Sequence, residues 1–397
     1  MNQVAFAQKH SRSPLLNELR GLSLLGLFLL HLQTGYQLYW YQPAPVWDFT
    51  SYFVLAEGSV HGLIALLFGL SFFVVLKRYH EREIEYRPCF TRRLTVVFLL
   101  GYLHSLWFAG DILQVLAVSS ILMIFSFSFS NRCWLAVSAG FVLQLPQIAI
   151  IGIHSWFPDP GYNSPVYLQY LPVSFEHYAH STLPALISYN LGNGQVAKWA
   201  MYFETGQIWC VMGLIFIGGW IGRRGLWQAR FPRNLYLVFT ATMGLGIYRL
   251  LDWFATWAPK KFDENMARWC FEHLLIQYQA LCIILAVICL IMAAHNTLSG
   301  NSLLKLFAPV GRMSLTFYLM QSLVFVIFFY GFGLDAYQSI GAMPCLVLGA
   351  SWWVLQIHIA NFWLPRFGCG PVEWIWNKRL VNSYRPQTKN PFPFYRN

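Results

Sequence analysis

Three histidines and two carboxylates stand inside stretches otherwise apolar enough to cross a bilayer. His31 closes the segment Asn17–His31, which carries Arg20 at its near end. At 1.5 Å rise per residue the two would lie about 16 Å apart along one helix. Glu57 and His61 are four apart, and so stack on one helix face. His104 and Asp111 flank the turn Ala109-Gly110-Asp111, with Gln114 one turn further on. An imidazole beside a carboxylate is the equipment of general acid–base chemistry, and a nearby arginine adds charge for an anionic substrate. The same residues also admit a structural reading, as interhelical hydrogen bonds, and Asp111 as a helix cap. An ionisable group inside a span is nevertheless costly, which makes each a candidate for function. His31, His61, His104, Glu57 and Asp111 are therefore the candidate catalytic residues. Three histidines also raise metal binding, but nothing in the spacing fixes a ligand geometry.

The elements that must position these groups are transmembrane helices. The chain has 397 residues, 57% hydrophobic and only 11% charged, where a soluble domain carries about 25%. The reading is an all-α polytopic membrane protein. Ten apolar segments are drawn near 20–40, 52–76, 94–109, 112–130, 133–155, 205–222, 235–254, 272–294, 308–330 and 341–364. Segments three and four should form a tight helical hairpin. The net charge of +11 does not point to nucleic acid. Of the 27 Lys and Arg, 22 fall on one side of the drawn spans and five, Lys198 among them, on the other. This asymmetry places both termini in the cytoplasm. The eight cysteines show no disulfide or zinc spacing.

The whole chain, 1–397, reads as one transmembrane domain. Residues 156–202, rich in proline and aromatics, are expected to lie over the outer face as a loop with a short amphipathic piece. Residues 386–397 read as a disordered tail. Arg92 and Arg93 begin the third segment at the cytoplasmic face, as a topology anchor or, with Arg20, as a phosphate contact. Span six opens with a polar and aromatic entrance containing Gln207 and Trp209. Arg249 and Asp252 suggest an internal ion pair. Arg312 precedes span nine, in which Ser314, Tyr318 and Gln321 share a face. Gln114, Gln207, Trp209, Arg312, Tyr318 and Gln321 are the candidate substrate contacts.

Gly-Arg-Met-Ser-Leu-Thr-Phe-Tyr-Leu-Met-Gln-Ser (311–322) and Gly-Pro-Val-Glu-Trp-Ile-Trp (370–376) resemble the carboxy-terminal signatures of the YeiB family of bacterial inner-membrane proteins. The region 303–385 carries that resemblance. Leu-Arg-Gly-Leu-Ser-Leu-Leu-Gly (19–26), Leu-Leu-Phe-Gly-Leu (66–70), Gly-Tyr-Leu-His (101–104) and Gly-Asp-Ile-Leu (110–113) extend it through the amino-terminal half. The resemblance implies a multi-helix inner-membrane protein related to transmembrane acyltransferases, one branch of which carries an arginine, ten residues, then a histidine in its first helix. Arg20 and His31 reproduce that spacing, where YeiB relatives usually have asparagine at the position of His31. Phe317 and Asn377-Lys378 are further departures from the family pattern.

The implied activity is transfer of an acetyl or other acyl group from cytoplasmic acyl-CoA to an outer hydroxyl on a glycan or lipid-linked sugar. The protein partner set then reduces to membrane lipid and that acceptor. Two alternatives stay open. One is a transporter or flippase, whose buried His, Glu and Asp would relay protons; the absence of a visible internal repeat, or of paired broken helices, weighs against it. The other is an accessory membrane protein whose polar residues only lock helices together.

Overall fold

Hydropathy dictates helices here, since backbone groups in lipid must be satisfied within the segment. The computed structural model describes residues 14–38, 41, 50–81, 85–126, 129–157, 164–226, 233–261 and 265–380, and among them contains no strand. Helix α1 (Pro14–His31) runs into a π-helical turn (Leu32–Tyr36), and α2 (Thr50–Glu81) is 32 residues long. Helix α3 (Tyr86–Ser105) turns through residues 106–112 into α4 (Leu113–Ser119) and the short α5 (Met123–Ser126). There follow α6 (Asn131–Val142), α7 (Leu145–Trp156), α8 (Val166–His180), α9 (Leu183–Leu191) and α10 (Asn193–Glu204). The second half comprises α11 (Gln207–Arg224), α12 (Asn234–Ala255), α13 (Met266–His295), α14 (Leu298–Lys305) and α15 (Ala308–Arg312). It ends with α16 (Ser314–Phe329), α17 (Ala342–Phe367) and α18 (Pro371–Leu380).

Each of the ten apolar segments is a helix or a helix pair, and the protein is an all-α membrane protein. By length and composition, four helices among the described residues can cross a membrane unaided. Three bent pairs raise that to seven. The bends are 44° between α6 and α7, 70° between α10 and α11, and 76° between residues 301–312 and α16. The first falls at Gln144, whose φ of 57° is left-handed and which precedes Pro146; the second falls at Gly206, with φ 69°. These two breaks touch. Gln147 Nε2 donates to the Glu204 carbonyl at 3.1 Å, and a Cβ on Gly206 would come within 2.9 Å of the Gln147 side chain. Paired broken helices, which the sequence did not reveal, are therefore present.

The bundle is built around α2. A Cβ on Gly69 would lie 2.0 Å from the Ile215 carbonyl oxygen, and one on Gly218 would lie 2.0 Å from that of Leu66. Only glycine lets α2 and α11 pack backbone to backbone, the small-residue device by which helices associate in lipid. Helix α1 lies against α2 and α15, α13 against α2 and α12, and a core of large buried side chains fills the centre, including Phe28, Tyr36, Trp134, Phe216 and Phe329.

Two local expectations change. Residues 166–204 form three helices, α8 to α10, where the sequence suggested mainly loop. Pro165 and Pro184 sit at helix starts, where a missing N–H costs nothing. Arg249 and Asp252 are 3.7 Å apart but 79% and 51% exposed, so the pair faces outward from the bundle. All eight cysteines are free. The segment 386–397, read as a disordered tail, lies outside the described residues.

The two carboxy-terminal signatures meet each other. Glu373 of the 370–376 motif accepts hydrogen bonds from Leu315 N (2.8 Å), Thr316 N (3.2 Å) and Thr316 Oγ1 (2.5 Å) of the 311–322 motif. Arg312 is exposed, and its Nη2 donates to the Gly368 carbonyl at 2.9 Å. The motifs thus cap the amino-terminal end of α16, where exposed N–H groups and the helix dipole favour a carboxylate.

Candidate functional site

The α3–α4 hairpin sets the geometry. Helix α3 ends one residue after His104, and Asp111 enters just before α4, so the turn folds the carboxylate back onto the imidazole. His104 Nδ1 and Asp111 Oδ1 are 2.9 Å apart, with both side chains fully buried. Asp111 Oδ2 also accepts from the Gln114 backbone N–H at 3.1 Å, so Asp111 caps α4 with one oxygen while the other meets His104. Gly101 makes the fold-back feasible, since a Cβ there would lie 2.7 Å from Asp111 Oδ2 and 2.7 Å from Gln114 N. Gln114 is buried and donates from Nε2 to Ser105 Oγ (2.9 Å) and the Gly101 carbonyl (3.2 Å).

Tyr318 of α16 closes the other side. Its hydroxyl donates to Asp111 Oδ1 at 3.3 Å and accepts from Ile112 N at 3.2 Å. The Tyr318 ring lies 5.0 Å from the His104 ring and 6.4 Å from that of His31. The His31 ring packs at 4.9 Å against Phe108 and at 6.1 Å against His61. His61 Nδ1 accepts from Gln207 Nε2 at 2.9 Å. His31, His61, His104, Asp111, Gln114, Gln207 and Tyr318, all buried, therefore share one region. The sequence paired a carboxylate with His31; the hairpin gives Asp111 to His104 instead. The side chain of Glu57 lies outside the described residues.

Hydrogen-bond partners assign the tautomers. The carboxylate on His104 Nδ1 puts the ring proton there and leaves Nε2 as a lone pair. The amide N–H on His61 Nδ1 puts the proton on Nε2. Both Nε2 atoms are buried and without a protein partner. One base and one donor are thus left over, both buried. Among the described residues no three His, Cys, Asp or Glu side chains are arranged to hold a metal ion.

The other candidates divide. Gln321 is buried but turned to Gln356 of α17, which it reaches at 3.0 Å. Trp209 stacks on Phe141 at 6.3 Å and keeps a buried indole N–H without a partner. Arg312 serves the α16 cap described above, outside the histidine region. Arg20 donates to Ser71 of α2. The next residue, Phe72, packs on Phe90 of α3, one turn from Arg92 and Arg93, so the three arginines come to the same end of the bundle. That end is separated from His31 along α1 by about 16 Å.

Two features escaped the sequence. The π-helical turn begins immediately after His31 and shifts the chain so that Gly35 lies against Phe108. Such turns widen a helix and recur at functional sites. Gly35, unremarkable in an apolar run, was its only signal. The other is Lys198 of α10. Counted by sequence as an outer-side surface charge, it is only 6% exposed. Its ammonium is buried without a hydrogen-bond partner, and Asp111 is the carboxylate whose charge reaches it.

Comparison with known proteins places the chain among relatives without assigning a reaction. Residues 221–381 match a family model described as protein of unknown function (DUF418). The chain is 26% identical to the uncharacterized protein YeiB of Escherichia coli (strain K12), across 94% of this chain and 98% of that protein. It is 24% identical to the uncharacterized protein YxaH of Bacillus subtilis (strain 168), across 82% and 80% of the two chains. An uncharacterized 39.9 kDa protein from the amylase 3' region of Bacillus acidopullulyticus is also 24% identical, across 94% of each. Of the buried cluster only Tyr318 falls within residues 221–381, whereas the YeiB match runs nearly end to end. The carboxy-terminal part of the chain thus matches the DUF418 family model, and the chain as a whole is similar to YeiB and YxaH.

Proposed function

We propose that the protein is an inner-membrane acyltransferase that moves an acyl group from cytoplasmic acyl-CoA to a hydroxyl on an extracytoplasmic glycan or lipid-linked sugar. The observation that carries this reading is the buried His104–Asp111 pair, whose free Nε2 is an oriented base. Both substrates come from outside the chain. In the transfer, His104 Nε2 takes the proton of the acceptor hydroxyl as its oxygen attacks the thioester carbonyl. A carbon–oxygen bond forms, the carbon–sulfur bond breaks, and the proton passes to the departing thiolate. Asp111 holds the ring in the required tautomer and balances the imidazolium, a role worth several kcal/mol in water-excluded sites. The His61 N–H is a donor for the oxyanion that develops. Arg20, Arg92 and Arg93 hold the phosphates of acyl-CoA at the cytoplasmic end set by the charge asymmetry. His31 lies between this end and the base, on the path an acyl chain must take.

A second reading, a transporter or flippase of a small solute or lipid-linked sugar, draws support from the paired helix breaks at Gln144 and Gly206. Broken helices meeting inside a bundle frame substrate sites in transporters.

Membranes carrying the protein, supplied with labelled acetyl-CoA, are expected to transfer label to a lipid or glycan fraction. His104→Ala and His31→Ala, verified as folded, should each lose about 100- to 10,000-fold of that transfer. Unchanged transfer in His104→Ala overturns the acyltransfer assignment. Proton-dependent solute uptake that ignores acetyl-CoA would instead establish the transport reading.

A further inference from the structure

Lys198 has a buried ammonium that lies 5.9 Å from the centroid of the Trp199 ring and makes no hydrogen bond. Gln195, Lys198 and Tyr202 are spaced three and four apart, and so share one face of α10. The two outer members of that row are anchored on the site. Gln195 Nε2 donates to Ser105 Oγ at 2.7 Å, the same hydroxyl that receives Gln114. The Tyr202 ring lies 6.4 Å from that of His61. Lys198 is held between them, facing the region of His61, His104 and Asp111. A buried ammonium is strongly disfavoured unless paired and hydrogen-bonded. Asp111 does not meet that need by contact, since its oxygens bond His104, Gln114 and Tyr318 and the Lys198 ammonium has no hydrogen-bond partner. A second donor is also left over beside it: Trp107, whose ring lies 5.5 Å from that of His104, has a buried indole N–H with no acceptor. Asn190, bonded to the Leu106 carbonyl at 3.0 Å, fixes the α9–α10 corner on the same hairpin.

We propose that Lys198 is a substrate-binding residue that receives an oxyanion, a carboxylate or phosphate group carried by the ligand, beside the His104–Asp111 pair. The site is distinct from the arginine end of the bundle, which His31 and the length of α1 separate from it. In the acyl-transfer reading the oxyanion belongs to the acceptor and not to CoA; the binding assignment stands on geometry whether or not that reaction is the right one.

The test is thermal unfolding of the purified full-length protein in detergent, at constant ionic strength, with sodium phosphate, sodium acetate or sodium chloride. Phosphate or acetate is expected to raise the midpoint saturably by at least about 2 °C over chloride. The active anion identifies the group. Lys198→Met should abolish the rise and, having removed an unpaired buried charge, should unfold no earlier than wild type without ligand. Lys198→Arg should retain a weaker rise. If neither anion shifts the wild type, or if Lys198→Met still responds, the proposal fails. Earlier unfolding of Lys198→Met without any anion effect in the wild type would show Lys198 to be only a counter-charge for Asp111. Should Lys198→Met not accumulate, Lys198→Gln gives the same comparison. Anion binding with no acyl transfer would overturn the proposed reaction and leave this site standing.

Discussion

Two carboxylates in this bundle stand at the start of a helix, and what else they hold separates them. Glu373 accepts from two backbone N–H groups and one hydroxyl at the start of α16, and the chain of contacts ends there. Asp111 accepts from a backbone N–H at the start of α4, from the Tyr318 hydroxyl, and from a histidine whose far nitrogen is free. Each has a glycine opposite it, Gly370 and Gly101, where a Cβ would come within 2.2 and 2.7 Å of a carboxylate oxygen. The same local device, a charged cap over a glycine, thus makes a closed lock in one place and an open-ended acid–base pair in the other. Capping alone does not mark function; an unfinished hydrogen-bond chain behind the cap does.

The largest separation is expected from removing each charge while keeping shape. Asp111→Asn keeps an acceptor for Gln114 N but no longer fixes the His104 tautomer. Acyl transfer should fall by about 100- to 10,000-fold. Its unfolding free energy should stay within about 1 kcal/mol of wild type, because a buried charge is lost along with its bonds. Glu373→Gln should do the reverse. It loses charge-assisted bonds to α16, costing about 1–3 kcal/mol, while transfer per folded molecule is unchanged. Denaturation and labelled-acetyl assays on the same preparations read both. If Glu373→Gln is the inactive one, the two regions have been told apart wrongly.

Part of this contrast was legible in the chain. His104 and Asp111 are seven residues apart around a Gly-containing turn, so local reasoning placed both on one hairpin without pairing them. The ten apolar segments were legible for the same reason, since hydropathy is a local property. What was lost depends on distant contacts. Glu373 meets Leu315 58 positions away, and no periodicity announces that. His31 looked like the base because its spacing from Arg20 was conspicuous, yet only the packing of α1 on the hairpin shows that Asp111 belongs to His104. Lys198 sits among prolines and aromatics in a stretch too polar to read as a span. Its burial follows from three helices folding over the hairpin, and those could not be inferred from composition. The bends at Gln144 and Gly206 each rest on a single left-handed residue, which hydropathy averages away.

A smaller but sharper difference is expected at the glycines. In Gly101→Ala one atom in the way is the Gln114 backbone nitrogen, so the hairpin itself must open, at a cost of about 2–3 kcal/mol. The opening moves Asp111 off His104, and transfer should drop in proportion to how far the bond stretches. In Gly370→Ala the nearest atoms are the ends of the Glu373 and Thr316 side chains, 2.2 and 2.6 Å away. Both can rotate aside, so the expected loss is that of part of a cap, about 1 kcal/mol, with no change in transfer. Equal stability losses in the two variants would mean that the hairpin yields as easily as a side chain.

The finest comparison uses the hydroxyl each carboxylate holds. The Tyr318 bond to Asp111 is long, at 3.3 Å, while that of Thr316 to Glu373 is short, at 2.5 Å. Thr316→Val removes the short bond and the acceptor for Val372 N, and should destabilise by about 1–2 kcal/mol. Tyr318→Phe keeps the ring against His104 and His31 but leaves Ile112 N without its acceptor, and should likewise cost about 1–2 kcal/mol. Its effect on transfer should nevertheless exceed that of Thr316→Val, a several-fold loss against none. The reason is that Tyr318 shares the Asp111 oxygen with His104 and holds that carboxylate in place against the ring. A purely structural tyrosine would leave transfer per folded molecule unchanged.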